Sequence, residues 1–100
     1  MLKVSIPVRT GNATIKDGSL PKTMHSILQD IKPEAAYFAV DNGQRTAFIF
    51  VNIQDASEIP AVAEPFFLAF NAGVELQSCM TPEDLMKAGP AIEAAVKKYG

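Results

Sequence analysis

Asn42-Gly43 stands between two apolar runs, "EAAYFAV" and "RTAFIFVNI", and constrains this chain more than any other feature. Asn followed by Gly is the favoured pair for a two-residue type I′ turn, because both central residues there need positive φ. Residues 34–53 therefore read as a β-hairpin. With a two-residue loop, Val40 faces Arg45 and Tyr37 faces Phe48. Side chains alternate along a strand, so Tyr37, Ala39, Phe48 and Phe50 share one face. Phe38, Val40, Ala47, Ile49 and Val51 share the other. Both faces are apolar, and both need cover.

The flanking segments supply it on one side. "LKVSIPV" alternates Leu2, Val4, Ile6 and Val8 with polar residues and reads as a half-buried strand ending near Arg9. "RTGNATIKDG" reads as a polar connection. Ser19 is placed to cap a helix carrying Leu20, Met24, Ile27, Leu28 and Ile31 at helical spacing, which stops before Pro33. Asp55 or Ser57 starts a second helix through "IPAVAEPFFLAF", with Pro60 in its first turn and Pro65 inside it. "VELQSCM" reads as a fourth strand that puts Glu75, Gln77 and Cys79 on one side. Thr81, Pro82, Glu83 and Asp84 mark another helix start. Gly89-Pro90 interrupts that helix before Ile92, Ala95, Val96 and Tyr99.

The resulting order is a split βαβ pair with an added C-terminal helix. The expected fold is an α+β, ferredoxin-like βαββαβ sandwich with a four-stranded antiparallel sheet, one domain over residues 1–100. The helices should cover the aliphatic face with Leu20, Met24, Ile27, Leu28, Ile31, Val62, Phe66 and Phe70. Lys3, Ser5, Arg9, Tyr37, Phe48, Phe50, Glu75, Gln77 and Cys79 are left for the open face.

Two partners are disfavoured by composition. The net charge is −2 with no basic cluster beyond Lys97-Lys98, which argues against nucleic acid. "TAFIFVNI" is similar to an RNA-recognition motif at Phe48, Phe50 and Val51, but departs at Thr46, Ala47, Ile49 and Ile53. Lys3 and Ser5 also stand where a stacking aromatic is wanted. No run approaches the roughly 20 apolar residues of a membrane span. The single Cys permits no intrachain disulfide and, with no signal peptide visible, fits a reducing, cytoplasmic setting. With one His and one Cys, no metal site and no cofactor are expected.

Taken together, "KPEAAYF", "NGQRTAFIFVNI", "IPAVAEPFF" and "MTPEDLMKA" resemble the dimeric α/β-barrel superfamily, in particular its small bacterial members. The resemblance implies two ferredoxin-like subunits joined by their open sheet faces. It implies either a binder of small hydrophobic or aromatic molecules or a cofactor-independent monooxygenase- or isomerase-like enzyme on an aromatic or lactone-like substrate. It identifies no catalytic residue in this chain. An aromatic patch on an open sheet points independently to association with a second copy. Tyr37, Phe48, Phe50 and Cys79 are the expected interface residues. His25, on the flank of the first helical stripe, Tyr37 and Arg45 are the candidate polar groups for a ligand. A free Cys is ordinarily a small hydrophobe, and a reactive Cys79 would need Lys3 or Arg9 beside it.

Overall fold

In the computed structural model, which describes residues 1–100, the hairpin forms as its turn residues dictate. Strands β2 (Ala35–Asp41) and β3 (Gln44–Phe50) pair antiparallel with Val40 opposite Arg45 and Tyr37 opposite Phe48. Asn42 and Gly43 both take positive φ, 50° and 73°. A Cβ is strained in that region, so Gly43→Ala should lower stability by about 1 kcal/mol although nothing lies near the added methyl. Urea denaturation measures it; an unchanged midpoint would show that the turn tolerates a side chain there.

Strand β1 (Leu2–Ile6) pairs antiparallel with β3 on one side and with β4 (Gly73–Leu76) on the other. The sheet order is β2-β3-β1-β4. This α+β arrangement, a four-stranded antiparallel open sheet with five helices, is compatible with a ferredoxin-like fold. Two helices lie over the aliphatic face of the sheet: α2 (Ser19–Ile31) and α3 (Ile59–Phe70). Leu2, Val4, Ile6, Ala47 and Ile49 bury against Met24, Ile27, Val62, Phe66 and Phe70, with Leu20, Leu28 and Ile31 packed at the margin. The expected core is therefore in place, and Ile49 is fully covered.

Three local expectations are corrected. Val8 and Arg9 do not extend β1: the chain turns at Pro7 into a helix, α1 (Val8–Lys16). Gly11, Asn12 and two threonines are weak helix formers, so local propensity does not announce this element. Tertiary contact does. Gly11 is buried against Arg45 of β3, and a Cβ there would lie 2.6 Å from the guanidinium Nη1. The second correction is at the start of α2, where Gly18, not Ser19, occupies the cap position, with φ 79°. Asp17 Oδ1 accepts the Ser19 N–H at 2.8 Å, and Ser19 lowers the Asp17 pKa through its hydroxyl and then its amide. Ser57, in the short 3-10 turn Ala56–Glu58 ahead of α3, lowers the Asp55 pKa through its amide and then its hydroxyl.

The third correction concerns the C-terminal part. Strand β4 stops at Leu76, so Cys79 belongs to the exposed connection that follows and is not on the open face. Thr81 caps α4 (Pro82–Lys87) as expected and, with Asp84, completes a capping box there, and α5 (Gly89–Tyr99) follows. Neither helix buries a residue. They pack on each other and scarcely touch the rest of the chain, so the molecule is 59 Å long and only 27 by 20 Å across.

Candidate functional site

Strand β2 is the sheet edge, and α2 does not reach over its far half. Phe38 and Val40 point to the helical side, as alternation requires, yet remain 60% and 79% exposed. The gap between them and α2 is an apolar groove of about 420 Å³. Its floor is Ile6 and Ala47, one wall is Leu20 and Met24, and the other is Phe38 and Val40. This volume suits a small molecule.

Arg45 also lines this groove. Its guanidinium crosses α1 at Gly11 and donates from Nη1 to Asn12 Oδ1 at 3.2 Å. Its neighbours provide no carboxylate within ion-pair distance; the ion pairs of the chain all involve Lys3. An unneutralised guanidinium beside an apolar trough can accept the anionic end of a ligand whose body is hydrophobic.

The opposite face of the sheet carries the aromatic set. Tyr37 is 63% exposed, and its ring meets Phe50 edge-on with centroids 6.4 Å apart. Phe50 and Phe48 are half-buried within a single chain. Beside them Lys3 Nζ lies 2.6 Å from Asp41 Oδ2 and 3.8 Å from Glu75 Oε2. Lys3 is on β1 and Asp41 on β2, so their bridge spans β3. The hydrogen bond to Asp41 raises the Lys3 pKa, against the opposing effect of desolvation.

The three candidate ligand groups are thus not brought together. Arg45 faces the helical side, Tyr37 faces the open side, and His25 is exposed on α2 outside the groove. Cys79 lines a second cavity, of about 440 Å³, formed with Leu2, Val51, Ile53, Ile59 and Leu76. Neither cation considered for activating its thiol is free to do so: Lys3 is held by Asp41 and Glu75, and Arg9 sits on α1. The acid in that cavity, Asp84, accepts a bond from the Thr81 N–H at 3.1 Å in the capping box. No group of three or more His, Cys, Asp or Glu side chains converges for a metal ion. No helix is long and apolar enough to cross a membrane.

The sequence does not single out Phe38 and Val40 as site residues. Parity puts them on the helical side, but parity carries no information about how far a helix extends across a sheet. No known protein family, curated protein or solved structure matches the chain.

Proposed function

We propose that this protein is a homodimer of ferredoxin-like subunits joined through their open sheet faces, a dimeric α/β barrel. In this reading each subunit binds a small hydrophobic or aromatic molecule in the groove between α2 and the β2–β3 hairpin. The observation that carries it is the groove itself, apolar on its floor and both walls and lined also by Arg45, whose guanidinium reaches Gly11 and Asn12 of α1. Support for the dimer comes from the open face, where Tyr37 stands exposed beside Phe48 and Phe50 with no helix over them. The groove offers no pair of carboxylates and no base held against a nucleophile, so the arrangement favours binding over catalysis.

An amphiphilic aromatic anion tests this. Anilinonaphthalene sulfonate should bind the native chain at one site per subunit and brighten. Val40→Asp, at an exposed wall position that leaves the core intact, should weaken binding about ten-fold, as a charge set against an apolar ligand face costs about 1.4 kcal/mol or more. Arg45→Gln should weaken it by a smaller factor, about two- to five-fold, for loss of a partly solvated ion pair. Fluorescence titration that is identical for all three chains would remove the groove as the site.

A further inference from the structure

We infer that β2, the free edge of the sheet, pairs with β2 of a second copy of this chain, antiparallel about a two-fold axis through Phe38. The two four-stranded sheets then continue into one. The contact uses the edge and not the open face, so it is a second interface beside the one in the preceding reading and needs no ligand.

The direction of the backbone groups along this edge follows from the ladder. Met1 and Gln77 exchange both bonds: the Met1 amine donates to Gln77 O at 2.7 Å, and the Gln77 N–H donates to Met1 O at 2.8 Å. In an antiparallel pair such residues alternate with ones whose N–H and C=O point the other way. The odd residues of β1 therefore face β4 and its even residues face β3. Carried through the registers, the even residues of β3 face β2 and the odd residues of β2 face β3. The turn agrees, because Asp41 and Gln44 close a two-residue loop and such closing residues bond to each other. Ala36, Phe38 and Val40 are left with N–H and C=O aimed away from the sheet.

Edge strands are ordinarily blunted by Lys or Pro, by a bulge or by being short. The other edge, β4, has four residues and carries the exposed Glu75. Strand β2 has seven residues in unbroken register with β3 and none of these devices. Its one charge, Asp41, lies at its end and is already held by Lys3 at 2.6 Å, so two copies meet without an unpaired charge between them. What the edge offers is a row of backbone donors and acceptors flanked by apolar side chains, and an extended strand satisfies both.

The strand is complementary to itself. With Phe38 on the axis, Ala36 pairs with the partner's Val40 and Phe38 with the partner's Phe38, so every outward N–H meets an outward C=O. Moving the axis by one residue either way leaves Ala36 opposite Asn42, or Val40 opposite Glu34, both outside the strand. Size matches in the same register. Val40 falls beside Ala36 on the helical side and Tyr37 beside Ala39 on the open side, a large side chain against a small one each time. Phe38, Val40 and Tyr37 are 60, 79 and 63% exposed, which leaves about 350 Å² of each chain in water at about 200 Å² for a whole aromatic side chain. With the alanines and backbone between them, two copies bury about 1,000 Å², the size at which specific contacts begin. The pairing is therefore concentration-dependent.

Hydrogen exchange, quenched and read residue by residue, tests it on the wild-type chain. The amides of Ala36, Phe38 and Val40 should exchange about ten-fold or more slowly at about 1 mM than at about 10 µM, while those of Tyr37 and Ala39, bonded to β3, stay slow at both. Ala36→Pro removes one outward N–H and nothing from the β3 ladder, the groove or the open face. It should abolish the concentration dependence at Phe38 and Val40. Disulfide trapping in a Cys79→Ser background reads the register without that variant. Tyr37 and the partner's Ala39 form a non-hydrogen-bonded pair, with Cα atoms about 4.5 Å apart and within disulfide reach. Mixed Tyr37→Cys and Ala39→Cys chains should cross-link about ten-fold or more above either chain alone. Outward amides equally fast at both concentrations, or Ala39→Cys chains that join to each other as readily, would overturn the pairing. Protection that comes only when an unrelated extended peptide is added would give the edge to a foreign strand and overturn it as well. Fast outward amides in a chain that sediments as a dimer leave the open-face reading standing and remove this one. Slow outward amides without dye binding leave the edge contact standing and remove the ligand.

Discussion

Phe66→Ala is expected to lower the stability of the chain by about 3 to 5 kcal/mol, the range for truncating a fully buried aromatic. Phe66 is the largest side chain with no exposed surface at all, and it sits among Leu2, Ile49, Val62 and Phe70 where α3 meets the sheet. Removing the ring deletes its apolar area and opens a void whose neighbours are held in place by the sheet ladder and by α2. They cannot collapse into it fully. A small domain has about 5 to 15 kcal/mol in total, so the variant should be near its limit at physiological temperature. Urea unfolding followed by circular dichroism measures the loss. A decrease under about 1 kcal/mol would mean that the core is centred elsewhere.

Tyr37→Glu is expected to abolish the proposed open-face dimer at micromolar concentration while leaving the subunit folded. Tyr37 is the most exposed member of the open-face aromatic set, and its ring supports Phe50. Buried aromatics carry a large share of interface energy, so a charge here should cost about 2 kcal/mol or more per subunit. Two symmetric substitutions then weaken a dimer several hundred-fold. Phe48→Glu should act in the same direction, but Phe48 is already half-buried within its own chain, so that variant also perturbs the fold. Sedimentation velocity with far-ultraviolet circular dichroism separates the two effects. A monomeric wild type, or a Tyr37→Glu chain that stays dimeric, would place the contact on another surface.

The hairpin, the core face and the order of strands and core helices are legible in the amino-acid sequence alone. Asn42-Gly43 sets the turn, the turn sets the register, and the register sorts every side chain of β2 and β3 between two faces. These are local rules with a fixed period, and a linear sequence carries them whole. The helical stripe from Leu20 to Ile31 is equally readable, because five apolar residues at the right spacing leave little choice about which side is buried. The capping box at Thr81 and Asp84 is local chemistry of the same kind.

Helix α1 is not legible in that way, since its residues have weak helix propensity and its packing is against α2 and β3, which are distant in sequence or not yet formed when the segment is read locally. Its own residues favour a loop; Gly11 is accommodated because it has no side chain where Arg45 crosses. The groove is hidden for a related reason. That Phe38 and Val40 point to the helical side follows from parity, but their exposure follows from the lateral position of α2, which its packing with α3 and the sheet decides. The aromatic face likewise reads as a broad exposed patch, whereas Tyr37 and Phe50 pack on each other and Lys3 reaches across to Asp41. Periodicity in the chain thus determined which way each side chain points. Only the tertiary structure determined how much of it is covered, because coverage depends on where separate elements come to rest against one another, and no local rule encodes that distance.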